Sequence, residues 1–530
     1  MRQVDLPAIC SDKVQERSYQ IHVFNEIKDH NALVVLPTGL GKTIIAILVV
    51  AYQIQRGRVL FLAPTKPLCE QHAASIARLT TLEPVLVTGE LYGPDKRQEV
   101  YRGGDVIVAT PQTVENDLDR GINPGDFRLI VFDEAHRAIG SYAYVGIARR
   151  YLQRGSQTLG MTASPGSDYN KLQKVAVNLG IETVALRTEQ DSDVKPYLAQ
   201  RNVRWELVDM PEEVKYIARR LDRMLNDFLA DLRKYTQQAQ HLSASKLSKK
   251  VLIDIQQRMR GQLGKRGGTM YSGISVVSAA IKLSHLKDML TSQGVEAAQS
   301  YIAKIEFDNS KAAANIRKHS LYPSIRRSII TLEGQRPKLD KTIVILKRHF
   351  KDHPDGRVIL FAEYRDTVDF LLAAIEGLSY IRARKFIGQA RGAGDGMSQE
   401  EQKETLQAFR SGDFNVLVST SIGEEGIDIP ATTLVIFYEP VPSAIRTIQR
   451  RGRTARDGVP GKVVVLIMKG SRDEAYYWSS YSKEKKMYQQ IARLKQDLDP
   501  RSDQPSQRHR TSEGPSLTRN TDGQTMLDSF

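Results

Sequence analysis

The stretch Leu36–Thr43, LPTGLGKT, decides the fold of this chain. It follows the apolar run ALVV and precedes IIAILVVAYQ, so a strand stops, a glycine-bearing loop turns, and a helix begins. That setting makes a phosphate cradle, because loop amides converge on an anion at the positive end of the helix dipole. Pro37, Thr38, Gly39, Leu40, Gly41, Lys42 and Thr43 form the wall of the cradle. Lys42 is placed to reach β- and γ-phosphate oxygens, and the Thr43 hydroxyl to ligate Mg²⁺. Leu36 stands where the common form of this loop has glycine.

Working outward, Ala32–Leu36, Val59–Ala63, Val106–Ala109, Leu129–Phe132 and Thr158–Met161 are short apolar runs ending in turn or polar residues. They read as buried parallel strands, and Thr43–Ile54 as the helix after the first. The rhythm returns at Val358–Ala362, Val416–Ser419, Leu434–Tyr438 and Val463–Met468. The expected class is α/β: two doubly wound parallel-sheet globules. Between them, Val214, Ile217, Leu221, Leu225, Phe228, Leu232 and Tyr235 follow helical spacing after Pro211. Lys246–Arg260 and Val276–Leu290 also read as helices, joined by the basic, glycine-rich loop GKRGGTMYSG. The expected boundaries are a first globule at 1–184, a helical insertion at 185–335, a second globule at 336–496 and a disordered tail at 497–530.

The chain has 530 residues, 41% hydrophobic and 26% charged, which fits several globular domains. No apolar run approaches the roughly 18 residues of a membrane span, and no charged-then-apolar leader opens the chain; neither a membrane nor export is expected. Cys10 and Cys69 are too few for a disulfide framework or zinc site and read as inert thiols in a reducing cytoplasm. The net charge of +15 suggests a polyanionic partner. Residues 185–330 hold 25 Lys and Arg against 15 Asp and Glu, so +10 of the +15 sits in the insertion.

Four further strings carry chemistry. DEAH, Asp133–His136, closes the apolar run LIVF, and a carboxylate at a strand's carboxyl end faces the ligand crevice. Asp133 is expected to hold Mg²⁺, Glu134 to orient and deprotonate the attacking water, and His136 to couple the site to the second globule. RSYQ places Gln20 upstream, where its amide offers adenine both a donor and an acceptor. In QRRGRTAR, ending at Arg456, the residues Arg450, Arg453 and Arg456 lie three apart. Arg453 and Arg456 are the candidates to stabilise charge on a transferring γ-phosphoryl group, with Gln449 as a nucleotide or water contact. One globule thus supplies the phosphate loop and the other the guanidinium groups, which implies ATP at a seam.

In this company the chain resembles a superfamily 2 helicase, with RSYQ, LPTGLGKT, APTKPL (Ala63–Leu68), TPQT (Thr110–Thr113), DEAH, TAS (Thr162–Ser164), ILFAEYR (Ile359–Arg365), STSIGEEGIDIP (Ser419–Pro430) and QRRGRTAR in order. The strings GEEGIDIP, FYEPVPSAIRTIQRRGRTAR, KLSHLKDMLTSQG and RDEAYYWSSYSKEKKM resemble the archaeal Hef and Fanconi anaemia M branch in particular. The resemblance implies two RecA-like domains with a thumb-like insertion, and ATP and Mg²⁺ as cofactors. It implies that Thr65, Lys66, Thr110 and Thr420 touch the nucleic-acid backbone, that Thr162 and Ser164 couple ATP to that track, and that Asp428 contacts the ribose. It also implies 3′-to-5′ movement on branched or single-stranded DNA, such as stalled forks and four-way junctions, by a monomer in the cytoplasm of an archaeal-type cell. No ERKxxxD string of an XPF-type nuclease occurs, so nuclease activity is not expected. The final QTMLDSF places Gln524, Leu527 and Phe530 at the spacing of a sliding-clamp (PCNA) box. Two other readings stay open: an RNA-stimulated enzyme, since Dicer and innate-immune RNA sensors share this branch, and an ATP-gated binding platform that separates no strands.

Overall fold

The structure is a computed structural model and describes residues 6–10, 12–197, 201–334, 336–389, 396–420, 429–452, 454, 461–498, 518–519 and 525–526. Two sheets organise it, both wholly parallel. In the first lobe β1 (Ala32–Val35), β2 (Val59–Leu62), β3 (Pro84–Val87), β4 (Val106–Ala109), β5 (Leu129–Asp133), β6 (Gln157–Thr162) and β7 (Thr183–Leu186) run in the order β3-β4-β2-β5-β6-β1-β7. In the second, β8 (Arg201–Val208), β9 (Val358–Phe361), β10 (Ala383–Phe386), β11 (Val416–Ser419), β12 (Leu434–Phe437) and β13 (Gly461–Met468) run β10-β11-β9-β12-β13-β8. Strands β1, β2, β4, β5, β9, β11 and β12 are buried throughout, as helices on both faces require. Because all strands of a sheet are parallel, every loop that leaves a carboxyl end lies along the same edge.

The stretch between the lobes is helical, with one exception. Glu212–Arg233, Lys249–Gly261, Leu263–Asp288, Val295–Phe307, Lys311–Lys318 and Tyr322–Ile330 pack around Leu221, Leu225, Leu283, Leu286, Ile302 and Ile325. The exception is β8, which lies within the span assigned to the insertion but pairs along its whole length with β13 of the second lobe, from Arg201 opposite Gly461 to Val208 opposite Met468. Val203, Trp205 and Leu207 alternate with polar residues at strand period. The expected loop GKRGGTMYSG is likewise helix, part of Leu263–Asp288. A Cβ on Gly273 would lie 2.3 Å from Met259 Cε and 2.9 Å from Tyr235 Cγ, so the small residue serves close helix contact rather than a turn.

The C-terminal helix Arg472–Leu498 starts on the second lobe and ends on the first, where Met487, Ile491 and Leu494 enter the core with Leu172, Val175 and Leu179. Polar contacts fix the same end: Lys495 Nζ reaches Glu26 at 2.8 Å, Tyr169 donates to Asp497, and the Arg493 guanidinium lies 4.3 Å from the Tyr169 ring centre. At the other end Lys338 Nζ meets Asp473 at 2.5 Å and Ser292 O at 2.9 Å, while Arg472 bonds Asp288 at 2.9 Å and Glu363 at 3.2 Å. Insertion, second lobe and C-terminal helix therefore share one buried polar junction. Beyond Leu498 the described residues form only two short antiparallel strands, Thr518–Arg519 and Thr525–Met526.

Glu439, just after β12, borders that junction. It is 1% exposed, accepts the Glu363 N–H through one oxygen, and its other oxygen has no hydrogen-bond partner. Burial pushes its carboxyl up to about 7, with the Glu363 charge adding and Lys338 and Arg450 opposing. An unfolded Glu titrates near ~4.3, so the folded form holds its proton over a wider range. The resulting stabilisation is complete below that value and is lost as pH rises through about 7. Glu439→Gln, which stays neutral, is expected to flatten the fall in melting temperature between about pH 5 and 8. A fall as steep as in the wild type would exclude Glu439 as its source.

Candidate active site

The loop after β1 enters the helix Lys42–Gln53 through two left-handed glycines, Gly39 at φ 90° and Gly41 at φ 70°. Only glycine takes these angles without strain. A Cβ on Gly41 would also sit 2.5 Å from Gln20 Nε2, so this turn is packed from outside. Gln20 is 3% exposed; its amide donates to Tyr19 Oη at 3.2 Å and Leu40 O at 3.5 Å, while Tyr19 Oη donates to the same carbonyl at 2.8 Å. RSYQ and LPTGLGKT are thus one structural unit. Pro37 and Leu40 are buried, Thr38, Gly41, Lys42 and Thr43 half-buried, and Gly39 exposed. Lys42 Nζ donates to Leu36 O at 3.3 Å, the carbonyl where the strand ends.

Asp133 and Glu134 follow at the carboxyl end of β5, two strands from β1. Asp133 is 6% exposed; one oxygen accepts the Glu134 N–H at 3.0 Å and the other meets His72 Nε2 at 2.8 Å. Burial alone would raise this carboxyl, but the His72 bond, with the His72 and Lys42 charges and the Glu134 amide, holds it below the ordinary range. The Lys42 ammonium is thus near enough for Asp133 to feel its charge. Glu134 has φ 49°, the one positive value outside glycine among the described residues. For a non-glycine residue that conformation costs on the order of 1 kcal/mol or more and persists where neighbours enforce it. Tyr144 Oη is such a neighbour: fully buried, it donates to Asp133 O at 2.6 Å and Leu62 O at 3.3 Å. Glu134 Oε2 is buried without a hydrogen-bond partner, 3.3 Å from His136 Nδ1.

His136 Nδ1 also lies 3.2 Å from Thr162 Oγ1, and that hydroxyl accepts the Ser164 N–H at 3.1 Å. DEAH and TAS are therefore in contact. Ser164 Oγ then reaches Met487 Sδ on the C-terminal helix at 3.2 Å. Thr65, Thr110 and Thr420 stand at the carboxyl ends of β2, β4 and β11, on the loop edges of the two sheets. Thr65 and Thr110 each precede a helix, Thr110 Oγ1 is 2.8 Å from Thr113 Oγ1, Lys66 Nζ is 2.6 Å from Glu90, and Thr420 is buried.

The lobes meet at the phosphate loop. Thr38 Oγ1 donates to Ile448 O at 3.5 Å, on the helix Ala444–Arg451 of QRRGRTAR. Gly452 follows, and a Cβ there would fall 1.5 Å from Thr38 Oγ1, so only glycine admits this approach. Gln449 is 3% exposed, with its Oε1 unpaired. Arg450 is buried, with its guanidinium 4.9 Å from the Phe361 ring centre and 5.6 Å from that of Phe437. Arg451 turns to Glu484 on the C-terminal helix. Arg453, Arg456, Asp428, Gln524, Leu527 and Phe530 lie outside the described residues.

Sequence reasoning missed His72 and Tyr144. Neither belongs to a motif string, yet His72 had a signal: on Lys66–Leu79 the buried positions are Cys69, His72, Ile76 and Leu79, so a histidine occupies an apolar stripe. Cys69 on that stripe is an inert thiol, pushed up to about 12 by burial.

A phosphate loop in one parallel-sheet lobe, set against an arginine-bearing helix of another, defines the class: superfamily 2 helicases, ATP-hydrolysing motors with two RecA-like domains. Residues 13–167 match the family described as "Type III restriction enzyme, res subunit" and residues 338–458 the "Helicase conserved C-terminal domain". The chain superposes on the crystal structure of the Pyrococcus furiosus Hef helicase domain with a TM-score of 0.69 and 40% identity, covering 89% of this chain and 100% of that one. It belongs to the Hef helicase family. A Methanocaldococcus jannaschii protein, MJ1505, described provisionally as an ATP-dependent RNA helicase, is 40% identical over 91% of this chain and 62% of its own. The ATP-dependent DNA helicase mph1 of Neurospora crassa is 32% identical over 87% of this chain and 41% of its own. The chain therefore spans 41% to 62% of the length of these two relatives.

Proposed function

We propose that this chain is an ATP-driven DNA translocase or helicase that moves 3′ to 5′ on branched DNA, gripping one strand across both lobes. The observation that carries it is the seam: Thr38 of the phosphate loop touches Ile448 and Gly452 of the second lobe, so whatever fills the loop bears on how the lobes close. The cradle fits a nucleotide, with left-handed Gly39 and Gly41, a helix amino terminus behind them, and a buried Glu134 oxygen that no hydrogen bond satisfies. Thr43 and Asp133 would hold Mg²⁺, which when bound neutralises developing phosphate charge. One carboxylate and one hydroxyl suit an ion that keeps waters and phosphate oxygens as its other ligands. Lys42 binds the phosphates, Glu134 takes the proton of the attacking water, and Arg453 and Arg456 meet the transferring group from across the seam. His136, Thr162 and Ser164 relay closure, and Thr65, Lys66, Thr110 and Thr420 hold backbone phosphates without reading bases. The basic insertion clamps the adjoining duplex.

The name of mph1 supports DNA, whereas that of MJ1505 supports RNA as the second reading. ATPase rates on single-stranded, forked and four-way DNA and on duplex RNA separate them, with forked DNA expected to stimulate most. Strand displacement on forks is expected from the wild type and lost in Lys42→Ala. Equal displacement by both proteins would remove ATP hydrolysis from the mechanism, and stronger stimulation by RNA would overturn the choice of DNA.

A further inference from the structure

We infer that His72 is a positioning residue that ties the strand-gripping loop Thr65–Lys66 to the acidic pair, so that nucleic acid and nucleotide sense each other through it. The inference rests on the function proposed above. The helix Lys66–Leu79 starts directly at that loop, with Thr65 as its cap residue. His72 lies six residues in, about 9 Å along the axis at ~1.5 Å per residue. A helix is stiff over that length, so a shift imposed where phosphate meets Thr65 and Lys66 arrives at the imidazole.

The imidazole is built in tightly. His72 is 4% exposed, and its ring centre stands 4.6 Å from that of Phe61 on β2. Nε2 carries the hydrogen toward Asp133 Oδ2 at 2.8 Å, since a carboxylate accepts, while Nδ1 is buried with no hydrogen-bond partner. Leaving a polar atom unpaired in a core costs roughly 1–3 kcal/mol, and the neighbours Cys69, Ile76 and Leu79 show that this face suits an apolar residue. The structure carries that cost where one bond reaches Asp133. Asp133 is held on its other oxygen by the Glu134 amide at 3.0 Å, so the carboxylate cannot turn without either the histidine or the backbone of Glu134 following. The path runs from loop to helix, imidazole, Asp133 and Glu134, through a buried bond of 2.8 Å at His72 and a part-buried one of 3.0 Å at the Glu134 amide.

Coupling between two ligands is reciprocal, and typical values change affinity 5- to 150-fold. The test therefore measures binding and needs no turnover. The affinity of the full chain for a fluorescent single-stranded DNA oligonucleotide is determined without nucleotide and with a non-hydrolysable β,γ-imido ATP analogue and Mg²⁺. Wild type is expected to show a ratio of about fivefold or more. In His72→Leu, which keeps bulk and loses the donor, the ratio is expected to fall within about twofold of unity. In His72→Gln, whose amide nitrogen can stand where Nε2 stands, most of the ratio is expected to return. Melting temperatures accompany each variant, and if His72→Leu does not fold, His72→Asn, too short to reach Asp133, replaces it. A full wild-type ratio in His72→Leu overturns the role given to His72. A wild type that ignores nucleotide overturns the coupled-motor reading itself, and this inference with it.

Discussion

Glu134→Gln is expected to stop turnover while leaving the nucleotide bound. The amide keeps the shape of the side chain but cannot take a proton from water, and loss of a positioned general base typically lowers rate about 10²- to 10⁴-fold. Binding should change little, because in the proposed mechanism Lys42 and the loop amides, not Glu134, grip the phosphates. The left-handed backbone of Glu134, enforced by Tyr144 and the neighbouring chain, should hold the glutamine in the same place. Steady-state ATPase rates, with a fluorescent-nucleotide titration on the same preparation, read both quantities. A rate within tenfold of wild type would remove Glu134 from proton transfer, and an equal loss of nucleotide affinity would make its role one of binding.

Lys338→Met should be the most destabilising single change at the junction of insertion, second lobe and C-terminal helix. The side chains of Lys338 and Asp473 are 2% and 0% exposed and 2.5 Å apart. Removing the ammonium leaves a carboxylate without water or counter-charge, a situation that costs about 3–5 kcal/mol. At ~2–4 °C per kcal/mol for domains of this size, the melting temperature should drop by roughly 6–20 °C. The double variant Lys338→Met/Asp473→Leu should recover much of it, because an apolar pair of similar volume replaces a buried ion pair at little net cost. A melting temperature within about 2 °C of wild type for the single variant would show that water or a rearranged neighbour supplies the lost charge.

What the sequence made legible were the parts with short-range signatures. The central strands of both sheets are unbroken apolar runs because helices cover both their faces, so β1, β2, β4, β5, β9, β11 and β12 could be read directly. Edge strands were harder: Ala383–Phe386 carries no such run, and Pro84–Val87 is apolar but opens on proline and is mostly half-buried. β8 alternates at strand period but joins a sheet whose other members lie more than 150 residues later, and no local pattern names a partner that distant. The phosphate loop and acidic pair were legible because their chemistry demands fixed residue types. His72 escaped because its partner Asp133 lies 61 residues away, and Tyr144 because its hydroxyl serves a backbone carbonyl, which leaves no mark in the sequence. The loop reading of GKRGGTMYSG failed for a physical reason: glycine also serves helices that must pack closely, as Gly273 does against Met259.

Apart from the contact of Thr38 with Ile448 at the phosphate loop, the helix Arg472–Leu498 adds, among the described residues, a second attachment between the lobes to the polypeptide that passes from β7 to β8. A body fastened at one point can swivel in three directions, but one fastened at two can turn only about the line joining them, as a door does on its pins. Met487, Ile491 and Leu494 seat this second pin, and at about 1.5–3 kcal/mol for each buried apolar side chain it does not come loose with every stroke. In the mechanism proposed above, the work of ATP is thereby guided toward a single rotation.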